Sequence, residues 1–159
     1  MINFTNLASV LRCPPAASAC VRGKGEYAAI RANVYFYRAM GKVLVVAMAD
    51  GLPRNSVECE NFVFGFHIHE GESCTGNEND IYADVMTHYN PKDCPHPNHA
   101  GDMPPLFGNN GSAFMAFITD RFTIEEIIGK TVIIHSNPDD FTTQPSGNSG
   151  EKIACGIIK

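Results

Sequence analysis

No apolar run in this 159-residue chain approaches the ~18 residues that a bilayer-spanning helix needs, so no membrane partner is expected. The opening stretch, MINFTNLASVLRCPPAASAC, has neither a basic n-region nor an apolar h-region of signal-peptide length, and a cytoplasmic location is the expectation. No basic cluster interrupts a net charge of −5, which argues against a nucleic-acid partner. A surface of that sign repels anions, so a site that handles an anion must raise its own positive field. There is no CxxC, which excludes a zinc ribbon or a thioredoxin-type site. Internal repeats, low-complexity tracts and a second domain are also missing. The chain therefore reads as one domain over 1–159, with 1–16 as an N-terminal extension.

What is present is β-rich sequence cut by turn chemistry. Candidate strands fall at 17–22, 29–38, 42–49, 62–69, 82–88, 112–118, 131–136 and 152–158, dominated by Val, Ile, Phe and Tyr. Met40-Gly41 suits a tight hairpin. Alternation is clear through Asn33-Val34-Tyr35-Phe36-Tyr37. In KVLVVAMA it is not, which leaves open a strand buried on both faces or a short helix. Thr123 followed by Glu126, with Gly129 as a stop, predicts a short capped turn over 123–128, solvated and without function. The segments 70–111 and 136–151 lack strand character, and structureless loops of that length need something to order them. Eight antiparallel strands with two long loops argue for an all-β sandwich or barrel.

Histidine carries the chemistry. Five of the six histidines lie within 33 residues: His67, His69, His88, His96 and His99; the sixth is His135. His67 and His69 stand two apart on a strand, so their imidazoles share a face, as a transition-metal site requires. His88, His96, His99 and Asp102 make a three-imidazole, one-carboxylate set suited to tetrahedral zinc, in a loop stiffened by Pro91, Pro95 and Pro97. Taken alone, His135 at the end of TVIIH reads as a buried structural histidine.

These residues resemble the copper-zinc superoxide dismutase family. Gly65-Phe-His67-Ile-His69-Glu70 is similar to its GFHxHE strand, His88-Tyr-Asn-Pro to its HFNP, and His99-Ala-Gly-Asp102 to its HxGD. Val132-Ile-Ile-His135, Asp139-Asp140, Gly147-Asn148-Ser149-Gly150 and Ile153-Ala-Cys155-Gly-Ile follow in the family's order, and the likeness runs over roughly 17–159. The resemblance implies an eight-stranded Greek-key sandwich or barrel with a long metal-binding loop and a second, electrostatic-type loop. It implies copper on His67, His69, His88 and His135, and zinc on His88, His96, His99 and Asp102, with His88 shared. Asp139 would link a copper ligand to a zinc ligand, and Cys74 and Cys155 would form a disulfide. The implied activity is disproportionation of superoxide: one anion is oxidised to oxygen by copper, and a second takes up two protons and leaves as peroxide. His88 would take part as the bridge and proton carrier, and Lys152 as the cation that guides the anion.

The chain departs from the family pattern in three places. Lys152 stands where the family has arginine, which predicts weaker anion affinity, because the planar guanidinium fork is gone. Met86-Thr87 precedes His88 where the family has glycine, and His96 and His99 are only three apart. Among the other cysteines, Cys94 is a competing zinc ligand or a partner for Cys59 or Cys13, and Cys20 reads as a buried small hydrophobe. Two other function classes remain open on these residues: a non-catalytic copper- or zinc-binding protein, and a zinc-stabilised module with copper left out. A homodimer is left open as well.

Overall fold

A computed structural model describes residues 4–54 and 62–159. Cys59 lies outside the described residues. Strands β1 (Ala17–Gly23), β2 (Arg31–Ala39) and β3 (Lys42–Asp50) form a meander. They are followed by β4 (Val63–Phe64), β5 (Phe66–His69), β6 (Leu106–Phe107), β7 (Ala113–Thr119), β8 (Thr131–His135) and β9 (Lys152–Ile157). Seven of them make one antiparallel sheet in the order β5-β8-β9-β1-β2-β3-β7, and β4 pairs with β6. The non-sequential neighbours arise from long connections across the ends, the Greek-key arrangement. Only Gly65 separates β4 from β5, and an Asn109–Ser112 bridge continues β6 toward β7. The two ends of the large sheet are thus tied together, and the sandwich curls into a barrel.

Alternation places the core. Ala32, Val34 and Phe36 of β2, Ile68 of β5, and Val132 and Ile134 of β8 all point into one cluster, each at most 2% exposed. Full burial of such a side chain contributes about 1.5–3 kcal/mol. The β2–β3 turn is a two-residue hairpin with Met40 and Gly41 both at positive φ (53° and 74°), the geometry that matches strand twist.

Several expectations need correction. There are nine strands among the described residues rather than eight: 62–69 breaks at Gly65 into two, Leu106–Phe107 adds a strand within the expected loop 70–111, and the expected strand at 82–88 is lost. Gly65 is obligatory there, since a Cβ would sit 2.9 Å from Ser149 Cβ in the loop that packs on it. Segment 82–88 is no strand: Ala83–Val85 is a 3-10 turn, and only His88 touches a strand edge. KVLVVAMA is a strand with both faces buried through its middle. One reason is the helix α1 (Phe4–Leu11), whose Leu7 and Val10 pack on Leu44 and Val46 from outside. The second helix, α2 (Ile124–Ile127), carries the capping hydrogen bond from the Thr123 N–H to Glu126 at 2.6 Å. It is not merely solvated, because Ile124 and Ile127 are buried in the core. Cys20 is exposed, its thiol directed at Asn33 rather than into the interior.

Candidate metal centre

The face of β5 and β8 opposite the core carries His67, His69 and His135. Register pairs His67 with Ile133 and His69 with Thr131, so β5 and β8 present these side chains on one outer surface. Chain 86–102 lies along the free edge of β5. His69 bridges to His88 and His67 to Asp102, Ile68 donates to the Gly101 carbonyl, and Tyr89 donates to the Ile68 carbonyl. That approach demands Gly101, because a Cβ there would lie 2.3 Å from the Ile68 oxygen. Every histidine is buried to 6% exposure or less, Asp102 stands at 9%, and Asp139 at 4%.

The buried donors fall into two groups. In the first, one ring nitrogen from each of His67, His69, His88 and His135 lies within 4.8 Å of all the others. In the second, His88, His96, His99 and Asp102 meet the same limit. His88 belongs to both. Its Nδ1 is 2.7 Å from Asp102 Oδ1, while its Nε2 is buried with no hydrogen-bond partner.

Outer hydrogen bonds decide which nitrogen of each ring faces inward. His67 Nε2–H donates to Asp139 Oδ2 at 2.8 Å, leaving Nδ1 unpartnered. His69 Nδ1–H donates to the Met86 carbonyl at 2.9 Å, and His135 Nδ1–H to the Gly150 carbonyl at 3.4 Å. Their Nε2 atoms consequently face each other at 3.2 Å. His96 Nε2–H donates to Asp139 Oδ1 at 2.8 Å, and the Nδ1 atoms of His96 and His99 have no hydrogen-bond partner. His96 Nδ1 nevertheless lies 3.0 Å from Asp102 Oδ2, and His99 Nδ1 lies 3.3 Å from Oδ1. Buried lone pairs that converge without a donor between them are unfavourable unless a cation sits among them. Both groups therefore fit a metal ion: four imidazoles for copper, and three imidazoles with a carboxylate for zinc.

The electrostatics agree. Burial pushes His67 down to about 4 and holds His69, His135 and, less strongly, His99 below the ordinary imidazole value, so the rings stand neutral and ready to ligate. Burial would raise Asp139, but the hydrogen bonds from His67, the Phe141 amide and His96 prevail and bring it to about 2. Asp102 is likewise held low against burial, by His88 and the neighbouring imidazoles.

A cavity of about 360 Å³ opens onto the first group, bordered by His69, His88, His135, Met86, Gly150 and Lys152. A register shift in the β8–β9 pair sets Lys152 opposite His135; in a regular ladder, Ile153 would stand there. The ammonium is engaged by Asp80. Cys74 and Cys155 are disulfide-bonded, tying loop 70–85 to β9. Cys94 belongs to neither ligand group, and Cys13, Cys20 and Cys94 are free.

Sequence reasoning missed several supports. Arg121 donates from one guanidinium nitrogen to the carbonyls of Pro97, His99 and Asp102, bracing the loop of the second group. Gln144 and the backbone of His96 exchange two hydrogen bonds. Met86, at φ 63° and ψ −147°, holds a conformation that glycine adopts freely, and thereby aims its carbonyl at His69. The glycine that the family pattern has near this position was the only signal of that strain. Arg121 and Asp80 left none, because their partners are backbone atoms or residues distant in sequence.

The description copper/zinc superoxide dismutase belongs to a family model that matches residues 30–158. The chain is 32% identical over 132 residues to Cu-Zn superoxide dismutase 2 of Aquifex aeolicus, covering 74% of this chain and 72% of that protein. It is 33% identical over 109 residues to the Cu-Zn superoxide dismutase of Photobacterium leiognathi, covering 60% and 63%. For that of Legionella pneumophila the figure is 35% over 103 residues, covering 60% and 61%. The chain thus spans under two thirds of the Photobacterium and Legionella relatives. A Greek-key barrel, two ligand groups sharing one imidazole, and a match over most of the sequence point the same way: the chain belongs to the copper/zinc superoxide dismutase family.

Proposed function

We propose that the chain disproportionates superoxide to oxygen and hydrogen peroxide, with copper on His67, His69, His88 and His135 and zinc on His88, His96, His99 and Asp102. The relatives' shared name supports the reaction, and the geometry of His88 carries the assignment of residues. This one buried ring offers Nδ1 to the Asp102 group and Nε2 to the other three imidazoles. Bound copper supplies one-electron redox chemistry, and bound zinc, redox-inert, supplies charge and a fixed geometry. Within that frame, His88 Nε2 is the atom that releases and takes up a proton, with Asp102 holding the ring by Nδ1. Asp139 locks His67 and His96 in one tautomer each. The cavity beside His135 admits a small anion, and Lys152 stands on its rim.

The test is copper and zinc stoichiometry measured together with superoxide consumption, on the wild type and on His135→Ala. One copper and one zinc per chain with fast consumption, and loss of copper and activity in the variant, is the expected result. Zinc alone, with no activity after copper is added, would overturn the reading in favour of a non-catalytic metal-binding protein.

A further inference from the structure

The cation at the mouth of the copper cavity is not free. Lys152 borders two cavities at once: the one with His69, His88 and His135, and a neighbouring one of about 550 Å³ lined by Lys24, Glu26, Asp80 and Glu151. Its ammonium turns toward the second, where it donates to Asp80 Oδ2. The lysine side chain is 19% exposed and the aspartate 39%, so this is a half-buried pair rather than two chains waving in water.

Asp80 is built into place. Its other carboxylate oxygen accepts from the Tyr82 amide at 2.9 Å, and its carbonyl accepts from Asn77 and Ala83. Tyr82 is fully buried and packs with Ile133, Cys155 and Cys74 beneath the disulfide. The turn that carries Asp80 is thus anchored from below, on the strand that also carries Lys152. The other cation of the neighbouring cavity, Lys24, is spent on the Cys74 carbonyl and the Tyr82 ring. Glu151 adds a negative charge next door.

We infer that Asp80 is a positioning residue that restrains Lys152: it draws the ammonium to the outer cavity and cancels much of the positive field with which the copper cavity attracts an anion. The inference rests on the proposed superoxide chemistry only for its consequence in rate; the restraint itself is a statement about anion affinity. In a chain of net charge −5, a neutralised cation at the mouth removes the local field that steering needs.

The test compares wild type, Asp80→Asn, Lys152→Gln and the double variant, all loaded with copper and zinc. Azide affinity is read by spectrophotometric titration, and superoxide kcat/KM is followed across ionic strength. Asp80→Asn keeps an acceptor for the Tyr82 amide. It is expected to bind azide about threefold more tightly and to raise kcat/KM about threefold at low ionic strength, the gain fading as salt screens it. In the Lys152→Gln background the same change is expected to do nothing, because Asp80 acts through the lysine. Asp80→Ser, which also accepts from Tyr82, is read the same way, so the test does not hang on one variant. Unchanged azide affinity, or a gain that persists without Lys152, overturns the inference. Tighter azide binding in a wild-type and variant pair that both fail to consume superoxide would leave the restraint standing and overturn the function instead.

Discussion

Asp139 is the most economical place to perturb both ligand groups at once. Its Oδ2 accepts from His67, and its Oδ1 accepts from both His96 and the Phe141 amide. In Asp139→Asn the amide oxygen satisfies most donors by taking the Oδ1 position, so the NH2 faces His67 Nε2–H. Donor meets donor, and His67 escapes only by moving its proton to Nδ1, the atom that faces the other three rings. Copper affinity is expected to fall about 10- to 100-fold, the usual effect of losing a partner behind a ligating histidine, or about 1.4–2.8 kcal/mol. Zinc affinity should change much less, because His96 keeps its acceptor. Asp139→Ala, by contrast, strips both rings and should weaken both metals. Chelator competition near neutral pH, run separately for copper and zinc, measures this; Asp139, held at about 2, is ionised there in the wild type. If Asp139→Asn lowers zinc affinity more than copper, or leaves both intact, the tautomer argument is wrong.

Three further outcomes follow from the same geometry. Gly147→Ala would place a Cβ 2.0 Å from Asp139 Oδ1 at a φ of 67°, so it should mimic loss of Asp139, with zinc affinity down about tenfold in the same titration. Without metals, the buried imidazoles make folding pH-dependent. His67 drops from 6.5 to about 4 on folding, so the unfolded chain binds more protons in between. That stability is complete above the unfolded value and lost as pH falls toward 4, with His67 alone worth roughly 3 kcal/mol. Asp139, whose folded value lies below its unfolded one, acts in a more acidic window. Denaturant unfolding of chelated protein at about pH 7.5 and about pH 4.5 measures the loss, and a flat profile refutes it. Finally, the Cys74–Cys155 disulfide closes a separation of 81 residues and should stabilise the metal-free fold by about 4.5 kcal/mol in the chain-entropy model. Unfolding of Cys74→Ala, compared with the oxidised wild type, tests it; an unchanged midpoint would show that the loop is ordered without the bond.

Long strands with clean alternation, such as β2, were legible in the sequence because burial alone sets their pattern. The errors came where tertiary contacts overrode local preference. Tyr82 and Val85 look like strand residues, yet they are buried by a 3-10 turn packed on Ile133 and Cys155. Leu106–Phe107 was too short to show a period, and it forms a strand only because Val63–Phe64 supplies the partner. Likewise, α1 was invisible as a covering element until Leu44 and Val46 showed what it covers. In the site, His67, His69, His88, His96, His99 and Asp102 could be read from residue type and spacing, whereas His135 and the sharing of His88 came only from the family resemblance. The orientation of the rings could not be read, since it depends on carbonyls of Met86 and Gly150 and on the register shift beside Lys152.

The imidazoles stand on the outside of the barrel wall, while Ile68, Val132 and Ile134 of the same two strands face inward. Greasy packing and coordination chemistry are thereby set on opposite faces of the same two strands, with Tyr89, Ala100 and Met103 of the overlying loop packed into the core as well. Sequence change confined to the outward rings and their hydrogen-bond partners can accordingly retune the chemistry while the inward faces of β5 and β8 keep their packing.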